Sequence, residues 1–159
     1  MRSLWFAVAL AVLPAVLVAQ EPTRFRVRGL NGAPAPFAAT TSGVRVVNVW
    51  APWCGPCVAE LPSLQALADS LRNDGVAVLT LTGARENAVS RFMARSSIRL
   101  LVLLEHDALP SAWEVSMLPT TLVLDAEGRV LERHRGARRW DDAATVARLR
   151  GLARAGARR

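Results

Sequence analysis

Residues 49–62 read VWAPWCGPCVAELP and carry both cysteines of this 159-residue chain, Cys54 and Cys57. The stretch begins where VRVVNVW (44–50), apolar and rich in β-branched residues, gives way to a different pattern. The first run suits a central strand buried on both faces. From Pro56 onward Val58, Leu61, Leu64, Leu67, Ala68 and Leu71 recur at helical spacing, and Asn73-Asp74-Gly75 stops the pattern. Pro62 falls inside this helix and is expected to kink it. The cysteine pair therefore sits where a strand turns into a helix.

Three roles are open to such a pair. As a staple it is weak, because a disulfide closing two intervening residues removes little chain entropy. As half of a metal site it lacks ligands: structural zinc takes four, and only His106 and His134 remain as strong candidates, with nothing placing them nearby. The redox role has a positive physical case. A cysteine at a helix N-terminus faces unpaired backbone N–H groups and the positive end of the helix dipole, and both favour thiolate. Cys54 is expected to be exposed at that tip. Cys57, one turn inward, is placed to resolve a mixed disulfide.

Working outward, FRVRGLNGAPAPFAATTSG (25–43) reads as a hairpin-like N-terminal element. VAVLTLT (76–82) and IRLLVLLE (98–105) read as strands, with a helix over ENAVSRFMARSS (86–97) between them. ALPSAWEV (108–115) is a short helix or turn. TTLVLDAEGRVLERH (120–134) is a hairpin around Asp125–Gly128. DDAATVARLRGLA (141–153) is a helix capped by Asp141 or Asp142. The order β-β-α-β-α-β-α-β-β-α predicts a layered α/β domain around a mixed sheet.

The first segment, MRSLWFAVALAVLPAVLVAQ, has Arg2 and then no charge through Gln20. Its apolar part is shorter than the roughly 20 residues a spanning helix needs, which describes a secretory signal over 1–19; an uncleaved N-terminal anchor is the alternative. Either places residues 20–159, one domain, in a periplasmic or other extracytoplasmic compartment where disulfides persist. The net charge is +7, every basic side chain is arginine, and no lysine or tyrosine occurs. The basic clusters at 133–139 and 148–159 read as solvated surface. No nucleic-acid-binding motif accompanies them, so no nucleic-acid partner is expected.

WAPWCGPC resembles the active-site motif of the thioredoxin superfamily. WCGPCVAELP, with Glu60 and Pro62 after the pair, is more similar to the exported TlpA/ResA/CcmG-type thiol–disulfide oxidoreductases, and VSMLPTTLVLDAEGRVL (115–131) looks like their second motif. The resemblance spans residues 25–153. It implies a three-layer thioredoxin-like α/β fold with a central mixed β-sheet, an N-terminal β extension and a central αβ insertion. It makes Pro119 a cis-proline beside the cysteines and gives Leu118 to an extended substrate peptide. It implies that Trp53, at the rim of a docking surface, and Gly55 and Pro56 bind substrate together with Leu118 and Pro119, that Trp50 is core, and that the Gly55-Pro56 dipeptide favours the reducing direction. Trp113 and Trp140 have only core or surface readings.

Glu60 reads either as a first-turn carboxylate favourable to the helix dipole or, by the resemblance, as an acid that manages the thiol protons. Burial raises a carboxylate's affinity for a proton, which suits the second role. Asn48 stands six residues before Cys54, where plain thioredoxin has a buried acid, and an amide takes no proton at neutral pH.

The resemblance implies catalysis by Cys54, Cys57 and Glu60 with no cofactor beyond the redox-active Cys54–Cys57 disulfide. It implies a monomer that reduces exported protein disulfides, such as the C-x-x-C of an apocytochrome c, and is recharged by a membrane thiol donor of the DsbD/CcdA type. A copper- or metal-holding module and a disulfide oxidase or isomerase remain as alternatives.

Overall fold

The computed structural model describes residues 25–39 and 43–157. The signal or anchor reading of residues 1–19 lies outside the described residues. The elements are β1 (Arg26–Gly29), β2 (Ala35–Pro36), β3 (Val44–Val49), α1 (Gly55–Leu71), β4 (Val76–Thr82), α2 (Glu86–Arg95), β5 (Leu101–Glu105), β6 (Thr120–Leu124), β7 (Val130–Arg135) and α3 (Ala143–Gly156). Short 3-10 turns cover Phe37–Ala39 and Ser111–Trp113.

The strands form one mixed seven-stranded sheet in the order β2-β1-β5-β4-β3-β6-β7. Strands β3, β4 and β5 are parallel, while β6, β7 and the β1–β2 extension run antiparallel to their neighbours. The α2–β5 unit is the central insertion. β5 begins at Leu101, three residues later than the apolar pattern suggests. Ile98 and Leu100 are buried, but the Arg99 N–H donates to Gln65 Oε1 at 2.6 Å instead of joining a ladder.

Period-two alternation sorts β3 onto two cores. Val44 and Val46 face α1, α2 and α3, packing with Leu61, Leu64, Leu67 and Leu71 of α1, Val89 of α2 and Leu149 of α3. Val47 faces the other way, with Leu79, Leu81, Leu122 and Leu124 against Phe25, Phe37 and Trp113. That third layer is thin, made of the N-terminal segment and the 111–113 turn instead of helices. Each fully buried leucine contributes roughly 1.5–3 kcal/mol to holding the layers together.

α1 runs through Pro62 to Leu71 with its apolar residues on the sheet side. Its far end meets the start of β3 at a tight crossing. Gly43 has φ +72°, and a Cβ there would lie 2.7 Å from the Gly75 carbonyl oxygen. Gly43→Ala is expected to cost about 1–3 kcal/mol from left-handed strain and the clash, read as a lowered thermal midpoint with an unchanged site.

Candidate active site

The turn from β3 into α1 is built from Trp50 to Cys54. Trp50, 1% exposed, is core and packs on Phe92 of α2 at 5.1 Å. The Cys54 N–H donates to the Ala51 carbonyl at 3.0 Å, which places Cys54 as the cap residue of α1 in extended backbone. Its sulfur accepts the Cys57 N–H at 3.3 Å. The sulfur thus takes the place a serine or aspartate oxygen normally fills, satisfying one of the orphan N–H groups of the first turn. Gly55 and Pro56 occupy the first two helical positions, where a missing N–H costs nothing.

Cys54 and Cys57 are joined as a disulfide, with their Cα atoms 5.2 Å apart. Cys54 is less open than its helix-tip position suggests: it is 8% exposed and Cys57 is fully buried. The reason is local, since Cys54 packs within the helix-side core and its sulfur is bonded to the Cys57 sulfur and accepts the Cys57 amide N–H. Of the two residues, Cys54 is the one that keeps some solvent exposure.

Around this point the surface is apolar. Trp53 is 77% exposed and Met117 48% exposed. Leu118, half-buried, packs against the cluster that contains both cysteines, and the Leu118–Pro119 peptide bond is cis. Flat or flexible apolar groups beside a reactive sulfur suit docking of an extended chain.

Glu60 departs from its simplest reading. α1 has no acidic residue in its first turn; Glu60 lies in the second and is 3% exposed, so it is no surface partner for the dipole. It is one turn beyond Cys57 on the same face of the helix. Its Oε1 accepts from Asn48 Nδ2 at 2.6 Å. Its Oε2 accepts from the Arg138 backbone N–H at 3.1 Å and the Trp140 indole N–H at 3.0 Å. Three donors from two other parts of the chain therefore converge on one buried carboxylate.

The donors belong to a wider polar seam. Thr80, Asn48, Thr121 and His134 are register neighbours across β4, β3, β6 and β7, and all lie on the helix-facing side. Asn48 Nδ2 also donates to Thr121 Oγ1 at 2.9 Å. His134 meets Trp140 edge-on at 5.2 Å and bonds Glu132, which in turn pairs with Arg148. Burial, and then the positive charge of Arg138, hold the His134 imidazole below its usual pKa.

Sequence reading missed Trp140 as a partner of Glu60, because the two are 80 residues apart and nothing local marks an indole as a donor. Asn48 carried a signal: an amide amid valines in a central strand has to find a polar partner.

Glu60 also forms part of the wall of an open hollow of about 500 Å³, shared with Pro62, Ser63, Ala137, Arg138 and Asp141. The buried carboxylate is thus one layer from water. Among the described residues no three His, Cys, Asp or Glu side chains come together as a metal site. His106 is exposed at the end of β5, while His134 is on β7 with Glu132. Among the described residues no helix is long and apolar enough to cross a membrane.

Comparison with known proteins agrees with this architecture. The Redoxin family model matches residues 20–150. A thiol:disulfide interchange protein DsbE homolog of Paracoccus denitrificans is 35% identical over 94 residues, covering 59% of this chain and 51% of that protein. The thiol:disulfide interchange protein HelX of Rhodobacter capsulatus is 32% identical over 130 residues, covering 78% of this chain and 71% of that one. The chain thus spans about half the length of the first of these curated relatives and more of the second. The crystal structure of StoA from Bacillus subtilis superimposes with a TM-score of 0.63 at 20% identity, covering 82% of this chain and 96% of StoA, a likeness of fold. With its C-x-x-C pair capping the helix after the central strand, the chain belongs to the Redoxin family and has the thioredoxin-like fold.

Proposed function

We propose that this protein is an exported thiol–disulfide oxidoreductase that reduces disulfides in extracytoplasmic proteins. The observation that carries the proposal is the Cys54–Cys57 pair at the start of α1, with the Cys54 sulfur in the capping position. In the reduced protein the same N–H groups and helix dipole favour a Cys54 thiolate. That thiolate attacks one sulfur of a substrate disulfide and expels the other as a thiolate. Cys57 then gives its proton to Glu60 and attacks the Cys54 sulfur. The enzyme disulfide forms, the bond to the substrate breaks, and the second substrate sulfur leaves. Two electrons pass from the enzyme dithiol to the substrate disulfide.

The apolar rim of Trp53, Met117 and Leu118 supports a protein or peptide substrate over a small thiol. Relatives named for interchange chemistry support the same class. Within it, an apocytochrome c haem-attachment C-x-x-C is the substrate we favour, with a membrane thiol donor of the DsbD/CcdA type restoring the dithiol. Residues 1–19 are the proposed export signal or anchor for the domain beginning at residue 20.

Thiol release from an oxidised C-x-x-C peptide by the reduced protein tests this reading, and no release above background overturns it. Its direction is tested by the reduction potential: a value near that of strong oxidants would assign an oxidase instead. Glu60→Gln keeps shape but removes the proton acceptor. It is expected to slow turnover about 10²-fold, within the usual range for general-base loss, and to flatten the acid limb of the pH–rate profile. An unchanged profile would leave Glu60 a packing residue.

A further inference from the structure

We propose that Asn48 and Trp140 are positioning residues for Glu60, clamping its carboxylate from opposite sides where it receives the Cys57 proton. The inference rests on the exchange reading above and adds the residues that prepare its acid.

The geometry is asymmetric in a telling way. Asn48 lies in the middle of β3 and is fully buried. Its Nδ2 makes two hydrogen bonds, to Glu60 and Thr121, while its Oδ1 is buried with no partner among the described residues. A valine, the residue that fills most of β3, would avoid that unsatisfied acceptor. The amide is therefore poorly explained by the strand and well explained by a negative charge facing its donor end. Trp140 is equally committed. It is fully buried, its backbone N–H donates to Ser63 Oγ at 3.2 Å, and its only side-chain donor goes to Glu60. The Ser63 hydroxyl donates in turn to the Glu60 carbonyl at 2.8 Å, so the 138–140 loop is tied to α1 at the acid itself.

Donors aimed at a carboxylate stabilise its charged form and oppose the effect of burial. They also fix where each oxygen lies. With both oxygens held, the proton from Cys57 arrives at a defined acceptor, and the hollow beside Glu60 gives it a way to water. The other titratable or charged groups facing this acid are Cys57 on α1, Arg138 over the Trp140 ring at 4.7 Å, Arg139 and Asp141 around the hollow, and His134 on β7 behind Trp140.

The test uses the full chain with its glutamate side chains labelled at the carboxyl carbon. In the disulfide form, the Glu60 signal is identified by its loss in Glu60→Gln and followed against pH. Trp140→Phe keeps a ring against His134 and Arg138 but deletes the donor. Asn48→Val keeps a residue that β3 already favours. Each variant is expected to raise the Glu60 titration midpoint by about one pH unit, a tenfold change in proton affinity. The acid limb of the exchange rate with an oxidised C-x-x-C peptide is expected to move by the same amount. Folded variants whose Glu60 midpoint stays at the wild-type value overturn the proposal. If Trp140→Phe fails to fold, Asn48→Val alone decides it. A wild-type protein that exchanges no disulfides sinks the functional reading instead, and the carbon titration still decides whether the clamp acts.

Discussion

Cys54→Ser is expected to reduce disulfide exchange to the uncatalysed background while leaving the fold intact. Both halves follow from one position. Serine is among the best helix caps, so its oxygen can accept the Cys57 N–H as the Cys54 sulfur does, at 3.3 Å. The thermal midpoint should therefore change little. A serine hydroxyl, however, is not ionised by one turn of helix and cannot open a disulfide at neutral pH, whereas a thiol is lowered into reach by the same donors and dipole. Thiol release from an oxidised peptide, measured beside a melting curve, separates the two effects. A companion measurement is alkylation of the reduced wild type: Cys54 is expected to react at a pH below that needed by a free cysteine. Turnover surviving in Cys54→Ser, or alkylation as slow as that of an ordinary thiol, would remove the nucleophile from the mechanism.

Cys57→Ser is expected to give the opposite phenotype, a covalent complex that persists. Cys54 still attacks, but no second sulfur remains within the site to break the resulting bond. The full burial of Cys57 matters here. An incoming disulfide meets Cys54 first, and the adduct then has no internal thiol to release it. Mixing the reduced variant with an oxidised C-x-x-C peptide should yield a one-to-one adduct by mass, released by dithiothreitol. Expressed in its native host, the same variant should retain the physiological partner. Absence of any adduct with the peptide would contradict the assigned order of attack.

Much of this was readable from the chain because it is local. Strand β3, helix α1 and the cysteines between them are contiguous, and alternation, helical spacing and turn residues mark each boundary. The β6–β7 hairpin is announced by Asp125–Gly128, and Gly128 adopts φ +81° there. The environment of Glu60 is of another kind. Its partners lie 12, 78 and 80 residues away, and they meet only because β3 is central and the 136–141 segment folds back over α1. Pattern reading ranks Trp140 as hydrophobic bulk; only tertiary placement shows where its single N–H points. Cys54 is less open than a helix tip suggests for the same reason, since exposure there depends on what packs around it.

The dressing of Glu60 from the far end of the sequence has a consequence for how the protein comes into being. A chain synthesised from its N-terminus presents both cysteines long before the segment carrying Arg138 and Trp140 has been made. During that interval the pair can oxidise or be captured, yet its acid is still unclamped. The hydrogen bonds that hold Glu60 are thus completed only when the loop before the last helix docks, which ties the finished geometry of the proposed site to completion of the fold.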